Sequence, residues 1–236
     1  MIVMAHRGFS SKAPENTMSA FIQALEAGAE GIELDVHLTG DGEVVVIHDH
    51  TLERTTSGSG PVSEMTLAEV QRFDAGAWFS QEFAGEKVPS LREVLELVKE
   101  HNVLLNVETK AALGYEQLND KVALLLDEYA LWEKTIISSF NHYALVHMKQ
   151  IRPQARTGIL YNCGLVNPWD YAKSIGAAAL HPHHLTIIPE LVQAAQQHGL
   201  MVNVWTVDEE ADIQRAAAAG VDAIITNVPD RVLSMR

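Results

Sequence analysis

The 236-residue sequence holds one cysteine, Cys163, so no disulfide can form within the chain. No apolar run approaches the roughly 20 residues that cross a bilayer. The apolar start at Met1–Ala5 is cut off by His6-Arg7-Gly8, too soon for an export signal. Positive charge is scarce: 17 Lys and Arg against 31 Asp and Glu leave a net charge of −14. Such a field repels nucleic acid and anionic membranes. No Gly-rich P-loop or dinucleotide fingerprint follows the first apolar run. Low-complexity and linker-like stretches are missing too. The expectation is a cytoplasmic enzyme with no nucleic-acid partner and no integral membrane association. A phosphate-bearing substrate would need a local cluster of cations.

What is present is a regular alternation. Strands are expected at Ile2–Ala5, Gly31–Leu38, Val103–Thr109, Thr135–Ser139, Arg156–Leu160, Ala177–His181, Met201–Trp205 and Asp222–Thr226. Helices are expected between them at Thr17–Ala27, Leu91–His101, Tyr115–Tyr129, His142–Gln150, Pro168–Ile175, Pro189–His198 and Glu209–Ala219. The punctuation agrees. Ser90 with Glu93 forms a capping box, Pro189 suits a first turn, and Gly199 and Gly220 sit where helices end. Eight such units in one chain of this length predict an α/β fold, a closed (β/α)₈ TIM barrel, as a single domain over residues 1–236. One stretch breaks the rhythm. Residues 42–89, after the second strand, read as a small insertion on the barrel rim. It carries a strand at Glu43–Ile47, a flexible Thr55–Gly60 and a short helix at Leu67–Phe73, and could act as a partial lid.

Barrel enzymes work at the C-terminal ends of their strands, where the chemistry-bearing residues of this sequence gather. Glu33 and Asp35 are two apart, so both point one way, while Ile32, Leu34 and Val36 point toward the helices. Glu108 and Lys110 repeat that spacing on the next strand, with Asn106 below them. Inward carboxylates repel one another unless something positive lies between them. Three of them with oxygen donors suit a hard divalent cation, Mg²⁺ or Ca²⁺, better than zinc. His6 and His48 flank this cluster and can divide general base and general acid between them. Arg7 and Lys110 supply positive charge for an anionic substrate. Trp205 ends a strand and would either wall the pocket, touching substrate, or pack the core. Asp208 reads as a helix N-cap, Cys163 as structural, and His101, His142, His147 and His198 as solvated. The crowded His181, His183 and His184 do not make a zinc site.

These residues fall into an ordered set of motifs. They are His6-Arg7-Gly8, Pro14-Glu15-Asn16-Thr17, Glu33-Leu34-Asp35-Val36, His48-Asp49, Leu52 with Arg54-Thr55, Val107-Glu108-Thr109-Lys110, Trp205-Thr206-Val207-Asp208, and Thr226-Asn227 with Pro229-Asp230. The set spans nearly the whole chain and resembles the glycerophosphodiester phosphodiesterase family, most of all its cytosolic bacterial branch. The resemblance implies a TIM barrel with a small insertion and hydrolysis of glycerophosphodiesters to sn-glycerol 3-phosphate and an alcohol. It implies Glu33, Asp35 and Glu108 as ligands of Ca²⁺ or Mg²⁺, His6 and His48 as the acid/base pair, and Arg7 and Lys110 as phosphate-binding cations. The alcohol, the order of the two histidines and the choice between water and a cyclic phosphate stay open. So does a phospholipase-like action on lysophospholipids or one that releases a cyclic phosphate.

Overall fold

The computed structural model describes residues 1–110 and 114–236. Eight parallel strands close into a barrel: β1 (Ile2–His6), β2 (Gly31–Leu38), β4 (Leu104–Thr109), β5 (Thr135–Ser139), β6 (Arg156–Tyr161), β7 (Ala179–Pro182), β8 (Met201–Val204) and β9 (Ala223–Thr226). Each pairs with its neighbour in turn, and β1 pairs with both β9 and β2 to close the ring. A ninth strand, β3 (Val44–Val46), lies antiparallel on the far end of β2, with Val36 opposite Val46. The helices α1 (Met18–Glu26), α3 (Leu91–His101), α4 (Tyr115–Tyr129), α5 (His142–Ile151), α6 (Pro168–Ser174), α7 (Pro189–Gln197) and α8 (Glu210–Ala219) link the strands.

The periodicity explains the layers. Ile32, Leu34 and Val36 join Leu91, Val94, Leu95 and Val98 of α3 in a core between sheet and helices. Each fully buried aliphatic side chain there contributes about 1.5–3 kcal/mol. The opposite faces of the strands fill the barrel. Met4, Ala223 and Ile225, with Ile2, Leu104 and Trp205 against them, form an apolar cluster inside the barrel. Higher up, the interior turns polar. Both Thr66 with Glu69 and Ser90 with Glu93 close capping boxes.

The insertion is packed rather than loose. Val45, Ile47, Leu52, Val62, Val70, Ala75 and Val88 form a small core of their own. The Thr55–Gly60 stretch, expected to be flexible, is held in place: Thr55 and Thr56 are buried, and Ser57 N–H donates to the Asp74 carbonyl at 2.8 Å. The expected helix Leu67–Phe73 stops at Val70 (α2, Leu67–Val70). Other boundaries move by one or two residues, as β7 starting at Ala179 and β8 ending at Val204. A last helix, α9 (Pro229–Ser234), follows β9 beyond the elements expected from sequence. It is too short to show a period, though Pro229 at its first turn marks its start. Cys163 is exposed, not a core residue.

Candidate active site

Glu33 and Asp35 project from β2 and Glu108 from β4, and adjacent strands bring them level: Glu33 lies opposite Asn106 and Asp35 opposite Glu108. One oxygen from each carboxylate lies within 4.8 Å of the others. Their exposures are 2% for Glu33, 0% for Asp35 and 7% for Glu108. Buried carboxylates this close are short of positive charge. Burial, then repulsion from Asp35 and Glu108, pushes Glu33 well above the usual carboxylate range. Burial, then Asp35, pushes Glu108 up to about 7. Burial also opposes the charge on Asp35, but Lys110 and Arg7 outweigh it and hold this carboxyl well below its usual range. Lys110 Nζ reaches Asp35 Oδ1 at 3.1 Å and Glu108 Oε1 at 2.5 Å, and Arg7 Nε reaches Asp35 Oδ2 at 3.1 Å. The all-oxygen donor set, with Glu33 held well above its usual range despite Arg7 and Lys110 nearby, fits a hard divalent cation.

The approach to this cluster depends on a bend after β1. Arg7 takes a left-handed backbone conformation at φ 56°, and its N–H donates to the Glu33 carbonyl at 2.9 Å. Gly8 follows at φ 83°, and a Cβ there would lie 2.6 Å from the Ala20 carbonyl carbon of α1. Only glycine satisfies both demands. Non-glycine residues held in the left-handed region gather at functional sites.

His6 sits at the end of β1. Asn227 after β9 offers its Oδ1 to the ring at 2.7 Å from Nδ1. The amide cannot be reversed, because Asn227 Nδ2 donates to Asp208 Oδ2 at 2.6 Å. Oδ1 can only accept, so His6 carries its proton on Nδ1 and presents a bare Nε2. That Nε2 lies 3.9 Å from Glu33 Oε2. Burial and then Arg7 push the His6 imidazolium down to about 4. His48 follows β3 and donates from Nδ1 to Asp49 Oδ1 at 2.6 Å. Its carbonyl is bonded by His37 Nε2 at 2.9 Å. Burial, with Arg7 and Lys110, holds the His48 imidazolium below its usual range, against the opposing pull of Asp35 and of the Asp49 hydrogen bond.

Several residues given no role from sequence build the frame. Glu15 accepts from Arg7 Nη1 at 2.8 Å and from both Nη atoms of Arg54 at 2.8 Å. Arg54 Nε donates to Asp49 Oδ2 at 2.6 Å. A continuous charge chain therefore runs Asp35, Arg7, Glu15, Arg54, Asp49, His48. Asn16 Nδ2 donates to Asp35 Oδ2 at 2.9 Å. Sequence pattern flagged these positions as motif members, but long-range pairing gives no local signal. Asp208 is not an N-cap. Glu209 takes that place, and Asp208 accepts from Thr226 Oγ1, Asn227 N and Asn227 Nδ2. Trp205 follows β8, three strands from β2 around the ring. Its Nε1 donates to the His181 carbonyl at 2.8 Å, and its ring meets the edges of Phe140 and His183. His181 is fully buried inside the barrel against Asn203 Nδ2 at 3.0 Å, and burial pushes it down to about 3. His142 is not merely solvated, since Nε2 bonds the Leu160 carbonyl at 3.0 Å, and His198 stacks on Trp169.

The chain resembles known proteins along its whole length. Residues 6–231 match the model of the glycerophosphoryl diester phosphodiesterase family. A glycerophosphodiester phosphodiesterase of Caldanaerobacter subterraneus is 47% identical over 235 residues, covering 99% of this chain and 97% of the relative. One of Bacillus altitudinis is 37% identical, with 99% and 97% covered. Among solved structures, an Oleispira antarctica phosphodiesterase in complex with the product sn-glycerol-3-phosphate superposes with a TM-score of 0.93 at 32% identity, with 99% and 96% covered. The chain belongs to the glycerophosphoryl diester phosphodiesterase family.

Proposed function

We infer that the chain hydrolyses glycerophosphodiesters to sn-glycerol 3-phosphate and an alcohol, with Glu33, Asp35 and Glu108 holding a divalent cation and His6 and His48 sharing the proton transfers. The observation that carries this reading is the convergence of three buried carboxylates, two cations and two histidines at one end of the barrel. The product complex of the Oleispira relative supports the substrate class. A bound Mg²⁺ or Ca²⁺ would supply Lewis-acid stabilisation of phosphoryl oxygens.

The side chains divide the remaining work. Arg7 and Lys110 sit on either side of Asp35 and balance the negative charge that grows on the phosphoryl group. The glutamate and arginine behind Arg7 fix its fork in place. His6, held neutral with a bare Nε2, takes a proton from the attacking hydroxyl, either water or the adjacent glycerol oxygen. His48, on the Asp49 carboxylate, is the better holder of a proton and delivers it to the oxygen that leaves phosphorus. One phosphorus–oxygen bond forms and one breaks, and the proton lost to His6 is matched by the proton given by His48.

The test is turnover of glycerophosphodiesters by His6→Ala and His48→Ala. Each should lose about 10²–10⁴-fold in kcat with its melting temperature kept near wild type. Near wild-type kcat in either variant removes that histidine from the mechanism.

A further inference from the structure

A cavity of about 670 Å³ opens beside His48 and Lys110 and runs between the insertion and the start of α4. His6 does not line it. In the acid/base order given above, His48 protonates the leaving oxygen, so the cavity lies on the side to which the alcohol departs. Leu38, Val62 and Leu118 give it apolar lining. His50, Ser63 and Gln117 give it polar lining.

The lining discriminates among alcohols. A quaternary ammonium is recognised by aromatic faces, and among the described lining residues none is Phe, Tyr or Trp. A primary ammonium needs an unspent carboxylate. The one carboxylate on the wall, Asp49, is occupied by Arg54 on both oxygens and by His48. What the lining offers instead is an imidazole, a hydroxyl and a carboxamide, the exposed side chains of His50, Ser63 and Gln117. Such groups both donate and accept, which suits an alcohol with several hydroxyls. The volume accommodates a ring of inositol size, well within the usual 300–1,000 Å³ of small-molecule sites.

We propose that this cavity is the leaving-group subsite and that it selects polyol headgroups, glycerol or inositol, over choline and ethanolamine. The proposal rests on the hydrolase reading and specifies its substrate. The bond that breaks is the one between phosphorus and the polyol oxygen, which takes the proton from His48 Nε2. The new bond comes from the hydroxyl deprotonated by His6.

The experiment compares kcat/KM for glycerophosphoinositol, glycerophosphoglycerol and glycerophosphocholine in the wild type and in a Ser63→Ala, Gln117→Leu double variant. Wild type should prefer the polyol diesters by at least about tenfold, since a site built of hydrogen-bonding groups discriminates against a partner that lacks them. The double variant should bring that ratio close to one while its melting temperature stays in place, both side chains being exposed. Choline diester turned over as fast as the polyol diesters, or a ratio unmoved in the double variant, overturns the subsite while leaving the hydrolase reading standing. No turnover of any of the three diesters with Mg²⁺ or Ca²⁺ present overturns both.

Discussion

Asp208 fixes the tautomer of His6 without touching it. Its carboxylate takes the Asn227 Nδ2 proton at 2.6 Å, which leaves Asn227 Oδ1 to receive the proton on His6 Nδ1 at 2.7 Å. The bare nitrogen of the His6 ring is thus set two residues away, by a group on the loop after β8. A relay of this kind makes Asp208 and Asn227 positioning residues. Asn227→Ala and Asp208→Ala should each lower kcat about 10–100-fold with little change in KM, the size expected for loss of an outer partner of a working imidazole. Steady-state kinetics decide it. A KM effect with intact kcat would place these residues in substrate binding instead.

On the other side of the site, Asp49 steadies the protonated form of His48. Removing that carboxylate lowers the His48 pKa. An acid must be protonated to act, so rate falls as pH rises through its pKa. Asp49→Asn should therefore move the alkaline limb of the kcat profile to lower pH. An unmoved alkaline limb would show that His48 is not the acid.

Metal binding should depend on pH through Glu108, pushed up to about 7 by burial and Asp35. Between the ordinary glutamate value and about 7, the metal-free folded chain keeps a proton that the unfolded chain has released. That protonation stabilises the fold at low pH, and the contribution is lost as pH rises through the folded pKa. Metal needs the ionised ligand. The rise in melting temperature on saturating Mg²⁺ or Ca²⁺ should be larger near pH 8 than near pH 5.5, and proton release on binding should accompany it. Equal rises at both pH values would speak against Glu108 as a ligand.

Gly158 on β6 lies opposite Ala179, and a Cβ there would fall 2.5 Å from Nε2 of the buried His181. The ring is enclosed and bonded to Asn203, so it has little room to give. Gly158→Ala should destabilise by about 1–3 kcal/mol, the ordinary result of overfilling a packed interior. Denaturant unfolding measures it. A change within a few tenths of a kcal/mol would mean the ring moves freely.

Much of this architecture is legible in the sequence. Alternation of two periods located the eight barrel strands, and α3 and α4 fall at Leu91–His101 and Tyr115–Tyr129 as expected. The parity of Glu33 and Asp35 against Ile32, Leu34 and Val36 placed the carboxylates inside the barrel, where strand register then brings Glu108 alongside. What sequence did not disclose is pairing at long range. Glu15 clamps Arg54, 39 residues on, and Asn227 holds His6 across 221 residues. Asp208 looked like a cap because it precedes a helix, yet its carboxylate is drawn to three donors on the β9 side. The run Thr55–Gly60 reads as flexible because it is all Thr, Ser and Gly, whereas Val, Ile and Leu residues elsewhere in the insertion collect into a second core. α9 is too short to announce itself by periodicity.

The account stands on the carboxylate triad as the seat of metal-dependent diester hydrolysis. The direct measurement is release of glycerol 3-phosphate from a panel of glycerophosphodiesters after EDTA treatment, then with Mg²⁺ or Ca²⁺ restored, in the wild type and in a folded Glu33→Ala, Asp35→Ala double variant. The account predicts release that disappears with EDTA, returns with the cation, and is absent from the double variant under every condition. Release that survives EDTA undiminished, or persists in the double variant, would contradict it.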